Sequence, residues 1–322
     1  MKVLVRKLKS ALRLLSREDG MASFAKRIRR NCRQARVQLS SGKGFRFRHQ
    51  LGFPFWVKKS DDDLLRQFLD QDHDVTEAAV MKAWVEAGDR VADCGANIGL
   101  FSALLAECVG RSGKVLAVEA SPATFAKLQM VLRALELQEF VIPAHVCATD
   151  VPGIARFDVT SPESEWHALA APAVEGTPPP SSVVSVTAVR LDDLLSREEM
   201  PEPSFIKIDV EGAEPLVLKG LSASLSTAAL ALYIVEIFRP GLERMGFSPA
   251  DILPHFPVER FELWHIPLSE SDLRPGLVRG RAYPLPDPGA HAWPYLSNLI
   301  AIPRTGSFAA RRSRLTKALA GD

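Results

Sequence analysis

The chain has few cysteines and no long apolar run. Four of its 322 residues are cysteine, and their positions lack the spacing of metal-binding pairs. We therefore expect free thiols in a reducing compartment. No stretch reaches the roughly 18 consecutive apolar residues that a membrane span requires. Charges interrupt the start of the chain too often for a good secretory signal, so these absences together predict a cytoplasmic protein.

Acidic residues are scarce in the first part of the chain. Residues 1–59 hold 17 lysines and arginines against two acids, a net charge of +15, whereas the remainder carries −13. Apolar residues recur at helical spacing within 1–37, which makes this basic N-terminal arm amphipathic. The pattern favours an anionic partner and suits peripheral contact with the inner face of a membrane. A solvated arm without any partner stays open.

Three predicted strands each end in a carboxylate. The apolar runs end at Asp93, Glu119 and Asp209, and the first and third pass directly into turns that contain glycine. A buried parallel strand has this pattern where it opens into a ligand-binding turn. The carboxyl ends of parallel strands meet at one edge of a sheet. The sequence therefore predicts an α/β sheet that binds a nucleoside.

Predicted strands and helices alternate from residue 90 onward. We predict strands over 90–95, 114–119, 140–147, 183–189, 204–209, 230–237, 258–266 and 297–302, and helices over 98–109, 122–137 and 213–223. This alternation is typical of a doubly wound, mostly parallel sheet. The proline-rich segments 161–182 and 284–294 are expected to be surface loops. We divide the chain into the arm 1–59, a domain over 60–303 and a basic, loosely held tail over 304–322.

The turn after the first core strand lacks the dinucleotide fingerprint. It reads Gly95-x-Asn97-x-Gly99, whereas a pyrophosphate site requires G-x-G-x-x-G. The glycines let the backbone pass close to a ligand, and Glu119 is placed to hold two ribose hydroxyls. A nucleoside without phosphates fits this arrangement, and S-adenosylmethionine is the commonest such cofactor. A tight turn that serves only packing is the alternative.

Four motifs together resemble the FkbM family of S-adenosylmethionine-dependent methyltransferases, over about residues 75–303. The motifs are Asp93-Cys-Gly95-Ala-Asn97-Ile-Gly99, Val-Glu119-Ala-Ser121-Pro, Leu191-Asp192-Asp193-Leu194 and Lys207-Ile-Asp209-Val-Glu211-Gly212-Ala-Glu214. The resemblance implies the class I methyltransferase fold, a Rossmann-like doubly wound sheet of seven mostly parallel strands with an antiparallel last strand. The basic arm and the proline-rich segment 161–182 depart from the family pattern.

The resemblance also implies where the cofactor lies. Glu119 should hold the ribose hydroxyls, with Ser121 beside it. The end of the third strand, at Ala148, should lie next to the adenine. The methionine end of the cofactor should be lined by Asp93, Gly95, Asn97 and Gly99.

The central strand at 204–209 carries the candidate catalytic residues. Methyl transfer to a hydroxyl requires alignment of oxygen, methyl carbon and sulfur, and a base that takes the proton. Asp209 is our first candidate for this base, Glu236 is the second, and Lys207 is included because a lysine in an apolar strand must be paired or used. A purely structural Lys207–Asp209 pair stays open. Asp209, Glu211 and Glu236 could also ligate a metal, although no histidine spacing supports one.

The sequence thus predicts an S-adenosylmethionine-dependent O-methyltransferase that acts on a hydroxyl of a small molecule or glycan, such as a sugar or polyketide-like acceptor. A non-catalytic binding module that keeps the fold is the alternative. A NAD-dependent oxidoreductase is less favoured because the pyrophosphate glycines are missing. Nucleic acid is not favoured as a substrate, because Asp209-Val-Glu211-Gly212 replaces the Asn/Asp-Pro-Pro-aromatic motif of amino-methylating enzymes.

Overall fold

A computed structural model describes most of the chain from residue 75 onward and parts of what precedes it. The described residues are 32–33, 44–58, 60–61, 65, 75–158, 168–169, 183–227, 231–268, 280–289, 291–305 and 309–320. The amphipathic pattern predicted for 1–37 lies almost entirely outside them, as does most of the proline-rich segment 161–182. None of the helices in the described ranges has the length and apolar character that a bilayer crossing demands.

Fourteen strands are found in the described residues. They are β1 Phe45–Arg48, β2 Pro54–Val57, β3 Arg90–Cys94, β4 Lys114–Val118, β5 Val141–Ala144, β6 Cys147–Ala148, β7 Gly153–Asp158, β8 Ala168–Leu169, β9 Val183–Val189, β10 Phe205–Ile208, β11 Leu232–Phe238, β12 Phe261–Pro267, β13 Tyr283–Pro284 and β14 Leu296–Pro303.

Eight α-helices accompany them in the same part of the chain. They are α1 Val75–Trp84, α2 Leu100–Val109, α3 Pro122–Leu135, α4 Leu191–Arg197, α5 Glu214–Lys219, α6 Ser222–Ser226, α7 Arg239–Arg244 and α8 Ala309–Ala320. Two short 3₁₀ helices, Pro249–Asp251 and Leu253–His255, follow α7.

The central sheet has the order β13-β12-β14-β11-β10-β3-β4-β5. Strands β5, β4, β3, β10 and β11 are mutually parallel. The last long strand, β14, lies between β11 and β12 and runs antiparallel to both. This arrangement confirms the predicted doubly wound class I methyltransferase fold. The short strand β13 adds an eighth member at the edge, beyond the predicted seven.

Alternation along the central strands separates two apolar layers. On β3, Val91 packs into the layer that contains α1, α2 and α3, whereas Ala92 packs into the opposite layer with α4 and α5. Both residues are fully buried, because helices cover both faces of the sheet. The carboxyl ends of β3, β4, β10 and β11 therefore open at one edge of a rigid, two-sided core.

A second, smaller sheet has the order β6-β9-β7-β8. The strand predicted over 140–147 is in fact divided, because β5 ends at Ala144 and β6 then pairs with β9 instead of continuing in the central sheet. Phe157 on β7 is buried on this small sheet with Val186 of β9. The small sheet lies beside the carboxyl edge of the central sheet, and it supplies part of the pocket wall described below.

Both ends of the described chain pack on the domain. The hairpin β1–β2, which lies inside the predicted arm 1–59, buries Phe47 and Phe55 in the same layer as α2 and α3. The tail expected to be loosely held instead contains the helix α8, with Leu315 and Leu319 buried in that layer. The guanidinium of Arg311 forms an ion pair with Asp89 at 2.7 Å. Apolar residues at i and i+4 secure this helix.

Candidate active site

A pocket of about 820 Å³ lies at the carboxyl edge of the central sheet. It is lined by the ends of β3, β4, β10 and β11 and by residues of the small sheet. The lining residues are Cys94, Gly95, Asn97, Val118, Glu119, Ala120, Thr124, Val146, Cys147, Ala148, Phe157, Leu169, Asp209, Val210, Glu211, Ala213 and Glu236. Ligands of α/β sheets bind at this edge.

The two glycines of the first turn serve close packing. Gly95 has φ +85°, and a Cβ there would lie 1.7 Å from the carbonyl oxygen of Asp209. Gly99 has φ +90° and precedes α2, where a Cβ would lie 2.7 Å from Leu128. Only a residue without a side chain fits these backbone conformations and these neighbours. Gly95 also lines the pocket, whereas Gly99 faces α3.

Glu119 closes the turn from the neighbouring strand. One of its carboxylate oxygens accepts a hydrogen bond from the backbone N–H of Asn97 at 2.9 Å, and the other accepts from the N–H of Ser121 at 2.7 Å. Burial raises the pKa of Glu119 to about 7, although these hydrogen bonds oppose the shift. The backbone N–H of Ala120 acts on the same carboxylate, and Glu119 also lines the pocket, where a carboxylate can accept further hydrogen bonds.

The buried Asp93 and Lys207 on β3 and β10 form a row with the half-buried Asp209, which directly follows β10. Asp93 is paired in register with Lys207 on the neighbouring strand, and its carboxylate accepts a hydrogen bond of 2.6 Å from Ser102. The ammonium of Lys207 forms an ion pair of 2.5 Å with Asp209. Burial raises the pKa of Asp93. Burial opposes the charge of Lys207, but Asp209 and Asp93 together raise its pKa above the usual value.

Three carboxylates converge beyond this row. Oxygen atoms of Asp209, Glu211 and Glu236 all lie within 4.8 Å of one another. Burial, and then the charge of Asp209, raise the pKa of Glu211 to about 8 and that of Glu236 well above its usual range. Such oxygens could accept hydrogen bonds or face a cation. An acidic cluster alone assigns no metal, and none is assigned here.

Glu214 holds the turn that presents Glu211. Its side chain is fully buried at the start of α5. One carboxylate oxygen accepts hydrogen bonds from the backbone N–H groups of Val210 at 3.0 Å and Gly212 at 3.1 Å. Burial raises the pKa of Glu214 to about 7, against these hydrogen bonds. Glu214 therefore serves the local structure of this turn.

The structure brings some of the predicted site residues to the pocket wall and places others behind it. Those on the wall are Gly95, Asn97, Glu119, Ala148, Asp209 and Glu236. Those behind it are Asp93, Gly99, Ser121 and Lys207. All of their functional roles stay predictions. The sequence analysis did not name Glu211 as a catalytic candidate. It also did not place Phe157 and Leu169 in the wall of the pocket.

The residues present fit S-adenosylmethionine. Glu119 is a carboxylate at the end of the second core strand β4, the position from which an acid accepts the hydroxyls of a ribose. Ala148, Phe157 and Leu169 supply apolar surface for a base. The acids at the ends of β10 and β11 give the opposite end a negative environment that suits a sulfonium cation. Bound there, the cofactor would supply an electrophilic methyl group.

Residues 93–263, more than half of the chain, match the model of the methyltransferase FkbM domain. The chain belongs to the FkbM methyltransferase family. Membership confirms the predicted enzyme class and S-adenosylmethionine as the methyl donor. It supports a methyltransferase over the binding-module and oxidoreductase alternatives.

The four cysteines are free thiols, as expected, and cytoplasmic location stays a prediction.

A curated relative is similar over about half of the chain. It is the hexuronic acid methyltransferase AglP of Haloferax volcanii, 30% identical over 169 residues, which span 52% of this chain and 61% of the relative. Less than two thirds of that relative is therefore matched.

Two solved structures are similar at low identity. One is an S-adenosylmethionine-dependent O-methyltransferase from Thermotoga maritima, with 16% identity, 85% of this chain and 82% of the other covered, and a TM-score of 0.37. The other is a fibrillarin from Aeropyrum pernix with bound S-adenosyl-L-methionine, with 14% identity, coverages of 53% and 62%, and a TM-score of 0.31.

Proposed function

We propose that this FkbM-family protein is an O-methyltransferase that transfers the methyl group of S-adenosylmethionine to a hydroxyl of a glycan or a small sugar-like molecule. The observation that carries the proposal is the pocket itself. It has a carboxylate suited to ribose at the end of β4 and three further carboxylates at the ends of β10 and β11.

The acid cluster favours a neutral, hydroxyl-rich acceptor. Carboxylates accept hydrogen bonds and repel anions, so a polyol that donates several O–H groups suits this end of the pocket. The curated relative is named for its action on hexuronic acid, a sugar acid, which supports the sugar class. A polyketide-like alcohol would present fewer donors, and it is the second acceptor class to test.

Residue roles follow from position along the pocket. Glu119 would bind the ribose and Ala148 would flank the adenine, with Ser121 holding Glu119 from behind. The methionine end would be lined by Gly95 and Asn97 and supported by Asp93 and Gly99. At the reacting end, Asp209 would orient the acceptor, with Glu236 beside it. Lys207 is then a positioning residue that acts through its ion pair with Asp209.

The domain boundaries and the role of the arm belong to the proposal as well. The methyltransferase domain would span 60–303, with the hairpin β1–β2 and the helix α8 packed on it, and the arm 1–59 would contact an anionic membrane surface at its inner face through the part that precedes the hairpin. The charge of the arm supports this contact. Liposome sedimentation of the full chain with anionic and with neutral vesicles tests it, because only anionic vesicles should retain the protein, and less so at high salt.

The function is tested by methyl transfer with the full chain. Cofactor with a labelled methyl group is incubated with a neutral hexose glycoside, a hexuronic acid glycoside and a long-chain alcohol. We expect label on a sugar, resistant to mild alkali as an ether is. Glu119→Ala should abolish transfer, whereas Glu139→Ala, at an exposed surface glutamate, should not. Label that mild alkali releases would be a methyl ester and would contradict a hydroxyl acceptor.

A further inference from the structure

The acid cluster has more negative charge than its neighbours neutralise. Asp209, Glu211 and Glu236 all line the pocket and lie within 4.8 Å of one another, and the fully buried Glu214 adds a fourth carboxyl to the same turn. Carboxylates this close cannot all ionise freely, and one proton or more must stay in the cluster near neutral pH. The question is which of them can take a proton from an acceptor.

Asp209 is the least suited of the three to accept a proton. Its oxygen forms an ion pair of 2.5 Å with Lys207, and that ammonium lies in a closed environment, 4.9 Å above the ring of Phe101. A buried lysine that is charged in this way stabilises the ionised form of its partner. The carboxylate of Asp209 is therefore already engaged by a neighbouring side chain, which makes it less available to an acceptor.

Glu236 forms no such ion pair within the described residues, although the charge of Lys207 acts on it as well. One of its carboxylate oxygens is buried and has no hydrogen-bond partner among the described residues. Its position on β11 places it on the pocket wall beside the end of β10. A carboxylate that lines the pocket and lacks a donor at one oxygen can take a proton from an acceptor hydroxyl, which is what a general base requires.

Glu211 is held against Glu236 by a locked turn. Its φ is +58°, a left-handed backbone conformation that residues other than glycine rarely adopt. The next residue is Gly212, where a Cβ would lie 2.2 Å from the backbone of Gly241. Arg244 donates a hydrogen bond of 2.7 Å to the carbonyl oxygen of Glu211. The turn therefore fixes the Glu211 carboxyl at the pocket, and strain of this kind is typical of functional sites.

We propose that the carboxyl pair of Glu211 and Glu236, and not Asp209, accepts the proton of the acceptor hydroxyl. The inference rests on the proposed function. As the acceptor oxygen forms its bond to the methyl carbon, the carbon–sulfur bond breaks and its electron pair stays on sulfur. The hydroxyl proton passes to the carboxylate of Glu236. The charge of the neighbouring Glu211 raises the affinity of that carboxylate for the proton. The products are a methyl ether, a neutral thioether and one protonated carboxyl.

The electrostatic surroundings set the pH range. The charged groups that face the pair are Asp209, Glu214, Lys207 and, at Glu211, Arg244. Burial and the acids raise both pKa values, with that of Glu211 at about 8. In the unfolded chain these carboxyls ionise near 4.5. Between the two values the folded state binds more protons than the unfolded state, so the stability of the protein falls as pH rises.

Chemical denaturation of the full chain between pH 5 and pH 8.5 tests the pair without any acceptor. We expect the wild-type unfolding midpoint to fall with pH, with Glu119 and Glu214 contributing to the fall. The unfolding midpoint of the double variant Glu211→Gln/Glu236→Gln should fall less with pH, and at pH 8 it should be higher than the wild-type midpoint. Glu199→Gln is the matched control, because Glu199 is exposed and also has a positive φ, +56°. A double variant with the wild-type pH slope would overturn the proposal.

Rate profiles then separate the pair from Asp209. Using the sugar acceptor that the transfer assay identifies, we expect the wild-type kcat to rise with pH, because the raised pKa of Glu236 leaves part of the protein with a protonated base at neutral pH. Glu236→Gln should lower kcat by about 100-fold or more and abolish this rise. Asp209→Asn should keep a rise, shifted to lower pH because one repelling charge is gone. Loss of the rise in Asp209→Asn with retention in Glu236→Gln would make Asp209 the base.

A cation at the cluster would also contradict the proposal. Mg²⁺ or Mn²⁺ that stabilises wild type but not Glu236→Gln would show that the carboxylates are metal ligands instead of a proton-accepting pair. We expect neither ion to shift the unfolding midpoint of either protein. If no acceptor is methylated at all, the proposed function fails, whereas the denaturation series still decides whether the pair carries a proton.

Discussion

The carbonyl oxygen of Asp209 occupies the space in which a side chain at Gly95 would begin. A Cβ on Gly95 would lie 1.7 Å from that oxygen. The backbone N–H of Asp209 also donates a hydrogen bond of 2.9 Å to the carbonyl of Cys94. The turn after β3 and the end of β10 are therefore in direct backbone contact. Gly95 thus positions the end of β10, which leads into the candidate catalytic residue Asp209.

Gly95→Ala should destabilise the protein and weaken cofactor binding together. The added methyl group must displace backbone, which we expect to cost more than about 3 kcal/mol in the free energy of unfolding. Gly246→Ala is the control, because Gly246 has a similar φ of +78° but nothing lies within 4 Å of its Cβ position. It should cost about 1 kcal/mol. Equal losses in urea denaturation would show that the contact with Asp209 is unimportant.

Glu119→Gln should weaken S-adenosylmethionine binding by about 10- to 100-fold. The substitution removes the charge that we propose accepts the ribose hydroxyls and sets an amide N–H₂ against the backbone donors of Asn97 or Ser121. Calorimetric titration measures the change, with circular dichroism as a check of folding. Glu139→Gln, at an exposed position, is the control and should bind as wild type. An unchanged dissociation constant in folded Glu119→Gln would remove Glu119 from the ribose site.

The sequence was sufficient to predict the frame of the pocket. Long apolar runs ending in acids placed β3, β4 and β10 within a residue or two of their observed bounds. Both faces of these strands are buried, so almost all of their residues are apolar. The apolar composition alone therefore identifies the strands. Because parallel strands share a carboxyl edge, Glu119 and Asp209 could be expected on one pocket, and both line it.

Local chain geometry and long-range packing could not be predicted from the same patterns. The left-handed conformation of Glu211 has no sequence signal, because glutamate rarely adopts it. The strands that carry Ala148 and Leu169 have two residues each, too few for any periodicity. The helix α8 did leave a signal, since Leu315 and Leu319 have helical spacing. The basic charge of the tail concealed it.

Lys207→Met should destabilise the protein more at high pH than at low pH. Without the ammonium, the buried Asp93 loses the charge that opposes its desolvation, so its pKa rises further. The folded state then keeps a proton that the unfolded state releases above about pH 4. We expect a loss of about 3–5 kcal/mol at pH 8 and a smaller one at pH 5, by urea denaturation.

Two further variants check that the Lys207 effect is electrostatic. Adding Asp93→Asn to Lys207→Met should restore part of the stability at pH 8, because the uncompensated charge is removed. Lys317→Met, on the exposed side of α8, should change stability by less than about 0.5 kcal/mol. A Lys207→Met loss that is equal at pH 5 and pH 8 would mean that packing, and not charge, explains it.

Leu315→Ala should lower stability without weakening cofactor binding. Leu315 is buried where α8 packs on α1, so its truncation leaves a cavity that costs about 2–5 kcal/mol. The neighbouring Ser313 is exposed, and Ser313→Ala should leave the urea midpoint nearly unchanged. Since neither residue lines the pocket, calorimetry should give the wild-type dissociation constant for S-adenosylmethionine in both variants. A wild-type midpoint for Leu315→Ala would mean that α8 does not unfold together with the domain. The cooperatively folded domain would then end near residue 303.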